Sequence, residues 1–209
     1  MLKADLIPAV ETNSKWLMVV LHGLGDSMEG YRWLPKALNL PWLNYLLVNA
    51  PDDYHGGFSW YDIYEDPDPG VKRSRKAMVE LLDNQREAGF PSEQTFQFGF
   101  SQGCLMTMEI AMRYPHRLAG CIGISGYVHQ PDNALKELST VSKEQEILFT
   151  YGTLDPIIPA DKVKDQLHEL TAAGNLQIDS HEFAKEHTIA GAEELALIRD
   201  FIRMRGPEA

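Results

Sequence analysis

The stretch Gly99-Phe100-Ser101-Gln102-Gly103 constrains the fold more than any other in this 209-residue chain. It joins TFQFGF (95–100), an apolar run with the pattern of a buried strand, to CLMTMEIAMRY (104–114), which suits a helix. A glycine on either side of the serine lets strand and helix cross closely at a sharp turn. Such a turn lifts the hydroxyl above the sheet edge and sets a helix N-terminus behind it, where free N–H groups and the helix dipole favour negative charge. G-x-S-x-G alone also describes a turn serine that caps a helix. The strand before it and the helix after it favour the reactive-serine reading.

The remaining chain alternates in the same way. KWLMVVL (15–21), NYLLVNAP (44–51), LAGCIGIS (118–125), QEILFTYG (145–152) and the segment near 176–183 read as strands. Helices are expected at 31–39, 71–88, 102–114, 159–172 and 189–203, the second with Val71, Ala77, Met78, Leu81 and Leu82 on one face. Residues 52–70, with Gly and Pro among Tyr54, Phe58, Trp60, Tyr61 and Tyr64, read as a loop. The expectation is one α/β domain over 1–209, a mostly parallel sheet with helices on both faces, and functional residues just after strands.

Bulk properties narrow the partners. With 19 basic and 30 acidic side chains the formal charge is −11, which opposes binding to phosphate backbones and leaves no polybasic patch for anionic membranes. No apolar run approaches the roughly 20 residues of a membrane span, and MLKADLIPAVETNSK lacks the apolar centre of a secretory signal. Cys104 and Cys121 form neither a metal-spaced pair nor a disulfide framework and read as buried thiols, so a cytoplasmic location is expected.

A reactive serine needs a base and a carboxylate, which in α/β-hydrolases follow in the order serine, acid, histidine. Of the three histidines far enough beyond Ser101, His168 lies on a charged helix face and His181 within a strand, where the pleat fixes its ring. An H-E-x-x-H zinc site at His168 fails because position 172 is alanine. His187 follows the strand, just before the last helix, and is the candidate base. Asp155, in LDPIIP just past a strand end, can fix the histidine tautomer; its bland alternative is a turn carboxylate held by backbone N–H groups. Asp161 and Asp165 are expected to face solvent.

The turn LHGLGD (21–26) could instead cradle a dinucleotide. A dinucleotide fingerprint needs a glycine three residues after Gly25, where Met28 stands, and an acid about 20 residues on, where the chain reads PWLNY.

These blocks, with Asn49-Ala50-Pro51, Ser59-Trp60-Tyr61-Asp62, Ile124-Ser125-Gly126 and Gly152 to Pro159, resemble the acyl-protein thioesterase, small carboxylesterase and lysophospholipase family of α/β-hydrolases. The resemblance runs from residue 21 to 187. It implies serine hydrolysis of short- to medium-chain carboxylic esters or thioesters through an acyl-enzyme, without a cofactor. Matched by position, Ser101, Asp155 and His187 correspond to the triad, and Leu24 and Gln102 to the residues whose backbone N–H groups form the oxyanion hole. Tyr54 and Phe58 are candidates for lining the substrate pocket, whereas Trp60 is expected to pack the loop. Cys104 stands where the family usually has a second glycine, Tyr151 replaces a frequent histidine, and Glu186 a small residue.

The implied partner is a small-molecule or lipid acyl ester, with a homodimer left open. The runner-up activities are lysophospholipase and acyl-protein thioesterase. The alternative outside enzymes is a catalytically silent binding protein of the same fold, which would typically have lost a triad member. A dienelactone-hydrolase-type enzyme would favour cysteine at position 101.

Overall fold

A computed structural model describes residues 2–207. Its centre is a seven-stranded sheet built from β1 (Ala4–Ile7), β2 (Leu17–Leu21), β3 (Asn44–Val48), β6 (Thr95–Phe100), β7 (Gly120–Ile124), β8 (Glu146–Gly152) and β9 (Gln177–Phe183), in the order β1-β3-β2-β6-β7-β8-β9. All neighbours pair in parallel except β1, which runs antiparallel to β3. A separate hairpin pairs β4 (Asp52–Tyr54) with β5 (Gly57–Ser59).

The central strands are buried throughout, as continuous apolar runs such as LMVVL require. The edges differ: β1 and β9 alternate between exposed and half-buried residues. The pleat of β2 divides the core. Leu17, Val19 and Leu21 pack with α2 (Asp68–Glu87), α3 (Gln102–Arg113), α4 (Pro131–Lys136) and α5 (Ala160–Gly174). Met18 and Val20 pack with α1 (Leu34–Leu38) and α6 (Gly191–Arg203) on the opposite face. Helix α3 is buried from Gln102 to Met112, which explains why its sequence lacks a polar stripe. The expected class, a mostly parallel sheet covered on both faces, is the one observed. Among the described residues, no helix is long and apolar enough to cross a membrane.

One local expectation is corrected and two are refined. Residues 52–70 are not one loop: they hold the β4–β5 hairpin and the first turn of α2, which starts at Asp68, with Pro67 and Pro69 favouring helix initiation there. The short helix expected within 31–39 is α1, with proline in its first turn, and a 3₁₀ turn at Met28–Tyr31 precedes it. Strand β1 and helix α4, too short to give a periodic signal, were not expected from the sequence.

The chain runs from β2 outward to β3 and then crosses back to β6 on the other side of β2. The helices after β2 and β6 therefore pack on opposite faces, and a crevice opens between the two strand ends. This is the position where open α/β sheets bind ligands.

Candidate active site

Ser101 occupies the turn between β6 and α3 with φ 54° and ψ −115°, a region that side-chain-bearing residues rarely adopt. The flanking glycines make room for it. A Cβ on Gly99 would lie 2.1 Å from the Gly103 carbonyl oxygen, and one on Gly103 would lie 2.4 Å from that of Leu21. The Ser101 amide donates to the Ile124 carbonyl at 2.9 Å, tying the turn to β7. Cys104 fills the adjoining space, where Cβ atoms on Gly123 and Gly126 would meet its Sγ at 2.8 Å and its Cβ at 2.4 Å. The departure at position 104 is thus matched by glycines across from it. Cys104 and Cys121 are free and buried, and burial pushes both thiols up, away from the thiolate form.

The structure brings Ser101, His187 and Asp155 into one line. His187 Nε2 lies 2.9 Å from Ser101 Oγ, and Nδ1 lies 2.7 Å from Asp155 Oδ2. The other Asp155 oxygen accepts the Ile157 and Ile158 amides at 2.8 and 2.9 Å, so the turn geometry of the bland alternative coexists with the histidine contact. Burial pushes the Asp155 carboxyl up. The Ile158 amide, His187 and the Ile157 amide together outweigh burial and hold it below the usual carboxylate range. With Nδ1–H donated to this carboxylate, Nε2 is left to accept the serine proton. The Phe100 ring packs against His187 at 5.0 Å between centroids. His168, Asp161, Asp165 and Glu186 are exposed, and His181 faces Asp179 on β9.

Leu24 lies beyond the end of β2, and Gln102 opens α3. The Leu24 amide has no acceptor among the described residues. The loop around Leu24 is fixed by the hairpin, since the Gly25 amide donates to Phe58 O and the Phe58 amide to Asp26 O, both at 2.9 Å. A Cβ on Gly57 would lie 2.0 Å from the Gly25 carbonyl oxygen, so only glycine permits this approach. The Gln102 side chain, unremarked in the sequence, accepts the Trp60 amide and donates to Tyr61 O, each at 2.9 Å. Trp60 is buried, and its indole N–H reaches the His22 carbonyl at 2.9 Å, a packing role. His22 is buried with Nδ1 2.6 Å from Gly23 O and Nε2 accepting the Ala50 amide at 3.0 Å.

A cleft of about 420 Å³ reaches His187 and is lined mainly by Tyr31, Trp33, Phe100, Ile189 and Leu195, with Asp26 at one side. Tyr54 and Phe58 lie outside it. Tyr54 lines a separate acidic cleft and meets Tyr64 through their hydroxyls at 3.0 Å. Phe58 is half-buried against His22 at 6.3 Å between ring centroids. Aromatic composition singled out the hairpin because no local signal tells that the 3₁₀ turn and the last helix wall this cleft. Among the described residues, no group of three or more His, Cys, Asp or Glu side chains is placed to hold a metal ion.

Residues 4–205 match the model of the phospholipase/carboxylesterase family. The chain belongs to this family. Acyl-protein thioesterase 1 of Schizosaccharomyces pombe is 36% identical over 156 residues, covering 68% of this chain and 70% of the relative. The Candida albicans protein of the same name is 30% identical over 222 residues, covering 94% and 95%. The crystal structure of esterase PE8 superposes with a TM-score of 0.86 at 26% identity, over 97% of this chain and 98% of that one. The family that the sequence resembles is therefore the one to which it belongs, and this member keeps a serine, a histidine and an aspartate in mutual reach.

Proposed function

We propose that this protein is a serine hydrolase that cleaves acyl esters and thioesters through an acyl-enzyme, with Ser101 as nucleophile, His187 as base and acid, and Asp155 as the group that orients the imidazole. The observation that carries this reading is the continuous line of hydrogen-bond distances from Ser101 Oγ through His187 to Asp155, 2.9 and 2.7 Å. Ser101 Oγ attacks the acyl carbon while its proton passes to His187 Nε2. The oxyanion that forms is held by the Leu24 and Gln102 amides. Collapse returns the proton to the departing alcohol or thiol, and water then releases the acid by the same route.

The acyl group is assigned to the apolar cleft beside His187, and Phe58 is assigned a share in the site through its backbone bonds to the Gly25–Asp26 turn. Thioester cleavage is supported by the acyl-protein thioesterases among the relatives. Two buried, unpaired cysteines are consistent with work in a reducing cytoplasm.

An activated-serine phosphonate probe should label Ser101, and Ser101→Ala should lower turnover of an activated ester by roughly 10³-fold or more. Full turnover by a pure Ser101→Ala preparation would overturn the reading. An acyl-length series on matched esters and thioesters then sets the preference, with substitutions at Trp33 and Leu195 expected to shift it and Tyr54→Ala to leave it in place.

A further inference from the structure

Lys185 and Glu194 form an ion pair, Nζ to Oε1 at 2.5 Å, with side chains only 3% and 0% exposed. A pair buried this deeply contributes little net stability, because desolvating both charges offsets most of their attraction. Its placement suggests another role. The Glu194 carboxylate, projecting from α6, also accepts the Thr150 hydroxyl through Oε1 and the Ala190 amide through Oε2. These partners converge from three directions. Thr150 is on β8, the strand that leads to Asp155. Lys185 is two residues before His187, and Ala190 three residues after it.

A single carboxylate thus closes the segment 185–190 into a ring that carries His187 at its tip. Backbone bonds lock this ring to the aspartate turn: the Leu154 amide donates to Lys185 O at 3.1 Å, and that of Thr153 to Phe183 O at 2.9 Å. The approach is close enough that a Cβ on Gly152 would lie 2.3 Å from Lys185 O. Burial pushes the Lys185 ammonium down while Glu194 opposes it, so the cation depends on its partner.

Resting on the triad reading above, the geometry points to Glu194 and Lys185 as positioning residues that hold the His187 imidazole in line between Ser101 and Asp155. Neither touches the reacting atoms. The competing explanation is a helix cap, because Ala190 is the N-cap of α6 and its amide is bonded by a side chain of the first turns. A cap accounts for Ala190 but not for Lys185 or Thr150.

Glu194→Gln separates the two roles, since glutamine keeps the shape and the capping oxygen but loses the charge facing Lys185. Glu194→Gln and Lys185→Met should each lower kcat on an activated ester by about 10-fold or more, the scale of a misplaced catalytic group. KM should stay within about two-fold, at a temperature where circular dichroism reports a folded chain. The downfield proton resonance of the His187–Asp155 bond should broaden or vanish. In a His187→Ala background the same substitutions should leave the residual rate unchanged. Wild-type kcat in either folded single variant, or an equal fractional loss in the His187→Ala background, overturns the proposal. If the single variants do not fold, Lys185→Met/Glu194→Leu removes both charges together, and wild-type kcat in that variant overturns it equally. An active Ser101→Ala would instead sink the triad reading; an inactive Ser101→Ala beside a fully active Glu194→Gln sinks only the clamp.

Discussion

The two halves of the candidate site are held in place by different means. Around Ser101 and Leu24 the geometry is set by backbone against backbone: Gly99 against Gly103, Gly103 against Leu21, Gly57 against Gly25. Around His187 it is set by side chains: Asp155 on the ring, and Glu194 gathering Lys185, Thr150 and Ala190. Backbone packing tolerates no added atom and answers to the loss of stability. Side-chain packing tolerates substitution and answers to the loss of alignment. Changes in the first half should therefore appear in folding, and changes in the second in turnover.

The sharpest break of that contrast is Asp155→Asn. The amide keeps an oxygen for the Ile157 and Ile158 N–H groups but favours the wrong imidazole tautomer, leaving Nε2 protonated and unable to take the Ser101 proton. Turnover is expected to fall roughly 10³- to 10⁴-fold while the thermal midpoint changes little. Steady-state kinetics beside a melting curve checks both parts, and a large fall in midpoint would show that the two halves are not distinct.

Gly99→Ala tests the other side. Its methyl would be driven to 2.1 Å from the Gly103 carbonyl oxygen and 2.5 Å from Thr107 Oγ1, where neither strand nor helix can yield. A loss of about 3 kcal/mol in urea unfolding is expected. Whatever fraction remains folded should retain the Ser101–His187 contact and bind a serine-directed probe. A stable but unlabelled variant would place the damage in alignment after all.

This contrast also explains what could be read from the residues alone. The sheet and its major helices were legible because each central strand is a continuous apolar run and each long helix either amphipathic or wholly apolar. Ser101 was legible because its constraint is local, written within five consecutive residues. Asp155 and His187 needed only chain order and a place just after a strand. The hairpin at 52–59 was hidden because its pairing is read from space: Gly57 is glycine on account of Gly25, far away in the chain. Glu194 was hidden for a related reason. On the sequence it is one more acid at the start of an amphipathic helix, and only the burial of Lys185 beside it distinguishes the two. The walls of the cleft at His187 come from residues 26–33, 100 and 187–195, which no periodicity unites.

A smaller effect is expected from Trp60→Phe. A smaller aromatic ring remains, and the His22 carbonyl loses its 2.9 Å donor in a buried setting. The cost should be about 1 to 2 kcal/mol in chemical denaturation, with kcat close to wild type. A selective loss of kcat would mean that the Leu24 turn relies on this indole, and that the serine half is less rigidly built than its glycines suggest.

The smallest effect is a dependence on pH carried by His22, which lies in the backbone-held half. Burial holds its pKa below the usual 6.5, against the opposing pull of the Gly23 carbonyl and Asp26. The folded ring is neutral, with one nitrogen directed at Gly23 O and the other accepting the Ala50 amide. Protonation would turn that acceptor into a donor facing another N–H. The unfolded chain takes up this proton at a higher pH than the folded one, so the contribution of His22 is complete above about pH 6.5. It is lost as the pH falls from there towards the lower, folded value. Urea unfolding measured from pH 7.5 downwards, points chosen about this reference, should therefore show stability declining with acidity, and His22→Asn should have a flatter slope whatever its absolute stability. Equal slopes would mean that the ring takes up its proton without cost, and that the turn bearing Leu24 yields to it as a side-chain-held loop would.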